Sequence, residues 1–189
     1  GSDHEFLDAH FIQTSKTQDP FWQRMVRIIK SYQLFGRLLD VGSGNGSFLI
    51  QARSAGYEVY GQDISPFFIN YCKDNYDLSI CEGELGTLSF PNHYFDMVTC
   101  FDVIEHHREP LEFLKQIHQL LKPGGTLVIS THDIGNFFAK LYGKDWRMIY
   151  PIGHLTYFTR RTLQEMLREA GYKVVAKGGA NTIDISFIR

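Results

Sequence analysis

The sequence predicts an α/β protein built as a doubly wound, mostly parallel sheet, and three observations carry that expectation. Short apolar runs suited to strands alternate with amphipathic stretches suited to helices from residue 20 to residue 130. The run FDMVTCF at 95–101 is apolar almost throughout, as a parallel strand covered on both faces requires. The stretch LLDVGSGNGSFL at 38–49 interrupts an apolar run with three alternating glycines, the punctuation of a tight strand-to-helix turn. Sheets of this class bind ligands at the carboxyl ends of their strands, where such turns lie.

Each element has a local cause. Asp19 and Pro20 suit the N-cap and first turn of a helix over 20–33, with Trp22, Met25, Val26 and Ile29 on one stripe. A strand at 37–41 and a helix at 46–55 follow, and Gly56 ends that helix. YEVYG at 57–61 reads as a second strand, Ser65–Pro66 restarts a helix to about 74, and a short strand lies near 78–81. After the strand at 95–101, Glu109–Pro110 opens a helix carrying Leu111, Leu114, Ile117, Leu120 and Leu121. Pro123–Gly124–Gly125 is expected to end it before a strand at 126–130. Residues 131–158 change character, with seven aromatic rings set among Gly135, Gly143, Pro151 and Gly153. Thr159 caps a helix to Ala170, and two β-rich runs finish the chain around Gly178–Gly179.

Size and composition exclude several classes. A chain of 189 residues fits one domain that buries roughly 70% of its unfolded surface. A hydrophobic content of 43% is that of an ordinary globule, and no apolar run approaches a membrane span. The net charge of -2 argues against a surface that coats nucleic acid. Cys72, Cys81 and Cys100 are odd in number and lack metal-ligand spacing, which suits free thiols in a reducing cytoplasm. Gly1–Ser2 reads as a cloning remnant with no signal peptide behind it.

The glycine turn is built to hold a ligand, and its spacing narrows the ligand. A dinucleotide fingerprint places a third small residue at the position that Ser47 occupies, whereas here the pattern runs G-x-G-x-G. A phosphate loop needs Lys and then Ser or Thr after its last glycine, and here Ser47 follows Gly46 with no Lys. A plain connecting turn is the alternative to a ligand cradle. Asp63, at the end of the second strand, can accept from two ribose hydroxyls; its alternative use is as a helix N-cap, a role that Ser65 suits better.

At this point the chain resembles the class I S-adenosylmethionine-dependent methyltransferases, collinearly over nearly its whole length. LLDVGSGNGSFL resembles the first motif of that family, and Asp63 matches its ribose-binding acid. CEGELGTLSF with FDMVTCFDVIEH resembles the fourth-strand region, and LKPGGTLVIS the fifth. FDVIEHHREP and the later W…GHLTYFT…L…GY pattern resemble a small-molecule subgroup that includes quinone-biosynthesis O-methyltransferases and enzymes acting on sugars, lipids and secondary metabolites.

The resemblance implies a Rossmann-like, seven-stranded, mostly parallel sheet with its last strand antiparallel, helices on both faces, and an aromatic-rich lid inserted after the fifth strand. It implies one methyltransferase domain over 1–189: an N-terminal helical segment at 1–36, a cofactor-binding core at 37–130, a substrate lid at 131–158, and a C-terminal helix and β-hairpin at 159–189. It also implies S-adenosylmethionine as cofactor and S-adenosylhomocysteine as product. Asp40, Gly42, Ser43, Gly44 and Gly46 would hold the methionine end, Asp63 the ribose, and Ile64 the adenine face. Glu84 would meet the adenine amino group beside the Leu85 amide, where the family more often has Asp followed by Ala. Phe101 would line the methionine side.

The expected reaction is methyl transfer to a small-molecule acceptor, with oxygen favoured over nitrogen or carbon. A hydroxyl acceptor gains from a nearby base. His106, His107, His132 and His154 are the candidates, of which His106 and His154 are preferred, with Tyr157 as an orienting donor. A histidine at a strand end also serves simply to fix a loop. Asp102, Glu105 and His106 would share one face of a helical turn, and some quinone O-methyltransferases hold a divalent ion on a similar acidic-x-x-Glu-His cluster. The same group can brace its own turn, and no metal is the expectation. The rings of 131–158 suit a planar or lipid-like substrate, although for any single ring a core position is the commoner use.

Two further functional classes stay open: a non-catalytic S-adenosyl-binding regulator, and another enzyme on the same fold, using different S-adenosyl chemistry or a nicotinamide. No Asn/Asp-Pro-Pro-Tyr/Phe signature for an extruded base is present, so a nucleic-acid substrate is not expected. The sequence leaves the acceptor and the oligomeric state open.

Overall fold

The computed structural model describes residues 19–177 and 182–188. The expectations for Gly1–Ser2 and for the turn at Gly178–Gly179 lie outside the described residues. The described chain forms two compact units that divide between Ser89 and Phe90.

The first unit carries α1 (Pro20–Lys30), β1 (Arg37–Val41), α2 (Ser47–Ser54), β2 (Glu58–Asp63), α3 (Pro66–Tyr76) and β3 (Ile80–Glu82). Asp19 accepts a hydrogen bond from the Phe21 amide at 2.8 Å, and Pro20 presets the first turn, so α1 starts where its cap dictates. Its stripe buries Met25, Val26 and Ile29. Asp19→Ala removes the cap bond and is expected to lower stability by about 1 kcal/mol. The check is a lower urea midpoint at unchanged slope.

The strands of this unit run in the order β3-β2-β1, all parallel. Asp40 stands opposite Gly61 and Val41 opposite Gln62, which brings the ends of β1 and β2 level. A side chain at Gly61 would collide with Ile80 and Leu49, so this glycine permits close packing on both sides.

The second unit carries β4 (Phe95–Phe101), α4 (Pro110–Leu120), β5 (Leu121–Thr131), α5 (Phe137–Tyr142), α6 (Arg160–Glu169), β6 (Tyr172–Lys177) and β7 (Thr182–Ile188). The strand order is β4-β5-β7-β6; β4 and β5 are parallel, while β7 is antiparallel to both β5 and β6. Helix α4 buries Phe113, Leu114, Ile117 and Leu120, and Tyr172 Oη donates to the Leu114 carbonyl at 3.0 Å. Thr159 and Thr162 form a reciprocal capping box at the start of α6.

Two expectations need correction here. Helix α4 ends at Leu120 rather than at Pro123, and β5 begins at once with Leu121. Phe95 pairs with Leu121 and Met97 with Thr126, so β5 advances five residues against two and the Lys-Pro-Gly-Gly segment bulges out of the ladder. Lys122 Nζ anchors that bulge to Asp96 Oδ1 at 2.5 Å. The rings of 131–158, for each of which a core position is the commoner use, are mostly on the surface. Phe137 is 72% exposed, and Phe138, Tyr142 and Tyr150 are also exposed, while Phe158 is buried at 2%. No helix among the described residues is long and apolar enough to cross a membrane.

Candidate active site

The glycine turn between β1 and α2 adopts the geometry that only glycine tolerates easily. Gly42, Gly44 and Gly46 have φ of 69°, 51° and 74°, all left-handed. Their reasons differ. A Cβ at Gly46 would come within 2.9 Å of Cys72 Sγ and Leu78 Cδ1, so a side chain there would require Cys72 and Leu78 to shift. Among the described residues a Cβ at Gly44 would meet nothing within 4 Å, which leaves that side of the turn open to a ligand.

The turn is held by the end of β2. Gly42 and Ser43 both donate to the Gln62 carbonyl at 2.9 Å, and Gly42 also donates to Gln62 Oε1 at 3.2 Å. Gln62 Nε2 reaches the Gly83 carbonyl at 2.5 Å, so one buried side chain ties the turn to the loop after β3. The sequence reading missed Gln62, because a lone Gln beside a motif acid carries no signal until strand register is known. Asn45 Oδ1 accepts from the Ser47 amide at 3.1 Å and satisfies an orphan donor at the start of α2.

Asp63 is not left simply free for a ligand by a Ser65 cap, the arrangement the sequence suggests. Its Oδ2 accepts from the Gly44 amide at 2.7 Å and its Oδ1 from the Ser65 amide at 2.9 Å. Ser65 is the N-cap of α3, yet its side chain makes no capping bond. Each carboxylate oxygen retains a second lone pair, so bracing the turn and accepting from ribose hydroxyls are compatible. Burial, then the charges of Asp63 and Asp40, push the Cys72 thiol up to about 12. It stays protonated and donates to the Gly44 carbonyl at 3.4 Å.

The remaining candidates of the first unit have distinct settings. Asp40 and Ser43 are buried; the Ser43 hydroxyl has no hydrogen-bond partner among the described residues and faces Gly61. Ile64 is 69% exposed beside Asp63, an apolar face available to an aromatic ring. Glu84 is exposed and precedes a 3-10 turn, Leu85–Thr87, that starts with buried Leu85. An open left-handed turn with two buried carboxylates fits the ammonium group and ribose hydroxyls of an S-adenosyl ligand.

The second unit gathers a separate cluster on three segments. Phe101, half-buried, ends β4, and Ile104–His106 forms a 3-10 turn just beyond it. Residues 102–106 are therefore not one helical turn: Asp102 sits at φ 54° and its Oδ1 accepts from Ser130 Oγ at 2.9 Å. The Leu155 and Thr156 amides both donate to the Glu105 carbonyl, at 2.8 and 3.0 Å, and Thr156 Oγ1 donates to the His107 carbonyl at 3.1 Å. The stretch around His154 and Tyr157 is thereby fixed against the 3-10 turn.

Within this cluster the four histidines differ. His106 Nδ1 lies 2.8 Å from the Gly153 carbonyl and His154 Nδ1 lies 2.9 Å from the Met148 carbonyl. A carbonyl only accepts, so each Nδ1 carries a proton, and in the neutral ring the lone pair lies on Nε2. His132 instead faces Glu105, Nδ1 to Oε1 3.4 Å, and that contact holds its pKa above the ordinary value against the opposing effect of burial. Burial alone would raise Glu105, but bonds from His132, its own backbone amide and Thr131 together hold it below the usual carboxylate range. His107 stacks on Phe113 at 3.8 Å, a packing role. The Tyr157 hydroxyl is buried without a partner among the described residues, and its ring lies 6.2 Å from that of His154.

Comparison with known proteins agrees with this geometry. Residues 17–177 match the family described as methyltransferase domain. The chain is similar to the ubiquinone biosynthesis O-methyltransferase of Cereibacter sphaeroides, 30% identical over 154 residues, covering 76% of this chain and 62% of that protein. It is also similar to the tRNA U34 carboxymethyltransferase of Idiomarina loihiensis, 35% identical over 131 residues, covering 64% of this chain and 40% of that protein. The chain thus spans less than two thirds of the length of these relatives. A solved S-adenosylmethionine-dependent methyltransferase from Archaeoglobus fulgidus shares the fold with a TM-score of 0.74, at 19% identity over 97% of this chain and 99% of that one. Together with the parallel pairing of β1, β2 and β3 and of β4 with β5, these matches make the chain a member of the S-adenosylmethionine-dependent methyltransferases with their α/β Rossmann-like fold.

Proposed function

We propose that the chain transfers a methyl group from S-adenosylmethionine to a hydroxyl of a small molecule and releases S-adenosylhomocysteine. The observation that carries the reading is the left-handed turn Gly42–Gly46, open at Gly44 and braced by Asp63. The bound cofactor supplies a methyl group already activated on sulfonium. Gly42, Ser43, Gly44, Gly46 and Asp40 position the methionine end, Asp63 accepts from the ribose, Ile64 covers the adenine, and Glu84 with Leu85 meets its edge. Phe101 excludes water from the methionine side.

His106 takes the acceptor proton on Nε2, the lone-pair nitrogen of the neutral ring whose Nδ1 bonds Gly153, and it is solvent-reachable. His154 and Tyr157 orient the acceptor, Tyr157 through a hydroxyl that has no other partner among the described residues. The exposed rings at Phe137, Phe138, Tyr142 and Tyr150 favour a planar or lipid-like acceptor. Free, largely buried Cys72, Cys81 and Cys100 suit the cytoplasm. A net charge of -2 disfavours nucleic acid as acceptor.

A second reading has one observation behind it. The similarity to a carboxymethyltransferase favours transfer of a carboxymethyl group from a modified S-adenosyl donor held on the same cradle. A panel of phenols, catechols and lipid-like alcohols, with S-adenosylhomocysteine release and product mass as readouts, separates the two. One added methyl supports the main reading, and product only from a modified cofactor supports the second. With a hydroxyl acceptor found, His106→Gln is expected to lower kcat about a hundredfold while cofactor affinity holds. An unchanged kcat would remove His106 from the reaction.

A further inference from the structure

Glu105, His132 and His154 each offer one donor atom, and the three atoms lie within 4.8 Å of one another. They come from the 3-10 turn after β4, the end of β5, and the stretch before α6. We propose that these three side chains form a site for a divalent transition-metal ion, zinc by preference, with a further coordination position open to water or an oxygen donor. The site shares His154 with the acceptor-orienting role proposed above, and its test does not depend on methyl transfer.

The His132–Glu105 contact is an ion pair whose length also suits two ligands of one ion. His132 Nδ1 and Glu105 Oε1 are 3.4 Å apart, whereas a charge-assisted N–H···O bond closes to about 2.7–2.9 Å. Ligand bonds of about 2.1 Å to a tetrahedral ion set neighbouring donors about 3.4 Å apart. Octahedral magnesium with similar bond lengths sets them about 3.0 Å apart, and it prefers oxygen to imidazole.

The surroundings do what a metal site needs of its outer contacts. Thr131 Oγ1 donates to Glu105 Oε2 at 2.9 Å and fixes the carboxylate plane, leaving Oε1 toward His132. The Met148 carbonyl holds the proton on His154 Nδ1 and so frees Nε2 for coordination. The Leu155 and Thr156 amides on the Glu105 carbonyl hold the segment next to His154 in place before any ion arrives. Glu105 is 3% exposed, so its charge is shielded from competing water. Two imidazoles, one carboxylate and an open position make a donor set that zinc enzymes use. This set differs from Asp102, Glu105 and His106, because Asp102 bonds to Ser130 and His106 to Gly153.

The test is calorimetric titration of chelator-treated protein with zinc chloride, repeated with magnesium chloride and with cobalt(II), whose visible bands report a tetrahedral site. The expected result is one zinc per chain at micromolar or tighter affinity, with weak magnesium binding. His132→Gln and His154→Gln should each weaken zinc at least about tenfold, while Asp102→Asn and His106→Gln stay within about threefold of the unsubstituted protein. Circular dichroism confirms that each variant folds. No zinc binding, equal affinity in His132→Gln and His154→Gln, or a preference for magnesium would overturn the proposal. These readouts need no methyl donor, so they remain decisive even where methyl transfer fails.

Discussion

Asp63→Asn is expected to weaken S-adenosylmethionine binding about a hundredfold. The carboxylate would lose two charge-assisted bonds from ribose hydroxyls, a loss of about 3 kcal/mol in total, and about 1.4 kcal/mol is tenfold in affinity. The substitution also turns one acceptor toward a donor, since Asp63 already receives the Gly44 and Ser65 amides. A drop in stability of about 1–3 kcal/mol should therefore accompany the affinity loss. Calorimetric titration and urea unfolding read the two effects separately. Unchanged affinity with lowered stability would leave Asp63 as a brace and remove it from ribose recognition.

The second large effect is Gly46→Ala. Its left-handed backbone costs an alanine about 1–2 kcal/mol, and the new Cβ must displace Cys72 Sγ and Leu78 Cδ1 from 2.9 Å, a further cost of about 1–3 kcal/mol. The expected loss is about 3 kcal/mol, roughly 6–12 °C in Tm for a chain of this size. Gly44→Ala carries the same kind of backbone strain but meets no atom within 4 Å. It should cost only about 1–2 kcal/mol in stability, yet lower cofactor affinity strongly because its methyl fills the open side of the turn. Equal Tm losses in the two variants would contradict the packing role given to Gly46.

What could be read in the sequence was local. The positive φ angles at 42, 44 and 46 follow from alternating glycines in a strand-to-helix turn, and the cap at Asp19 follows from the Asp-Pro pair. FDMVTCF spans the observed β4 residue for residue, because a doubly covered strand is apolar almost throughout. What escaped depended on register. Asp63 meets Gly44 only because β1 and β2 end level, and Gln62 clamps Gly42 for the same reason. Glu105 and His132 stand 27 residues apart and meet through the parallel pairing of β4 with β5. The early start of β5 escaped because a bulge can carry Pro and two glycines inside a ladder, where the sequence shows only a break. The aromatic stretch misled in the other direction. Ring content reports affinity for apolar surroundings, and without contacts it does not say whether a core or a ligand supplies them.

The central claim is that the Gly42–Gly46 turn is an S-adenosyl cradle. The most direct measurement is thermal unfolding of the protein with S-adenosylmethionine, S-adenosylhomocysteine or NAD added at matched concentration. At about a hundred times Kd a ligand stabilises by about 2.7 kcal/mol, which is roughly 5–10 °C here. Both S-adenosyl ligands should give that rise, NAD should give none, and Gly44→Ala should abolish it. A rise with NAD alone would contradict the account.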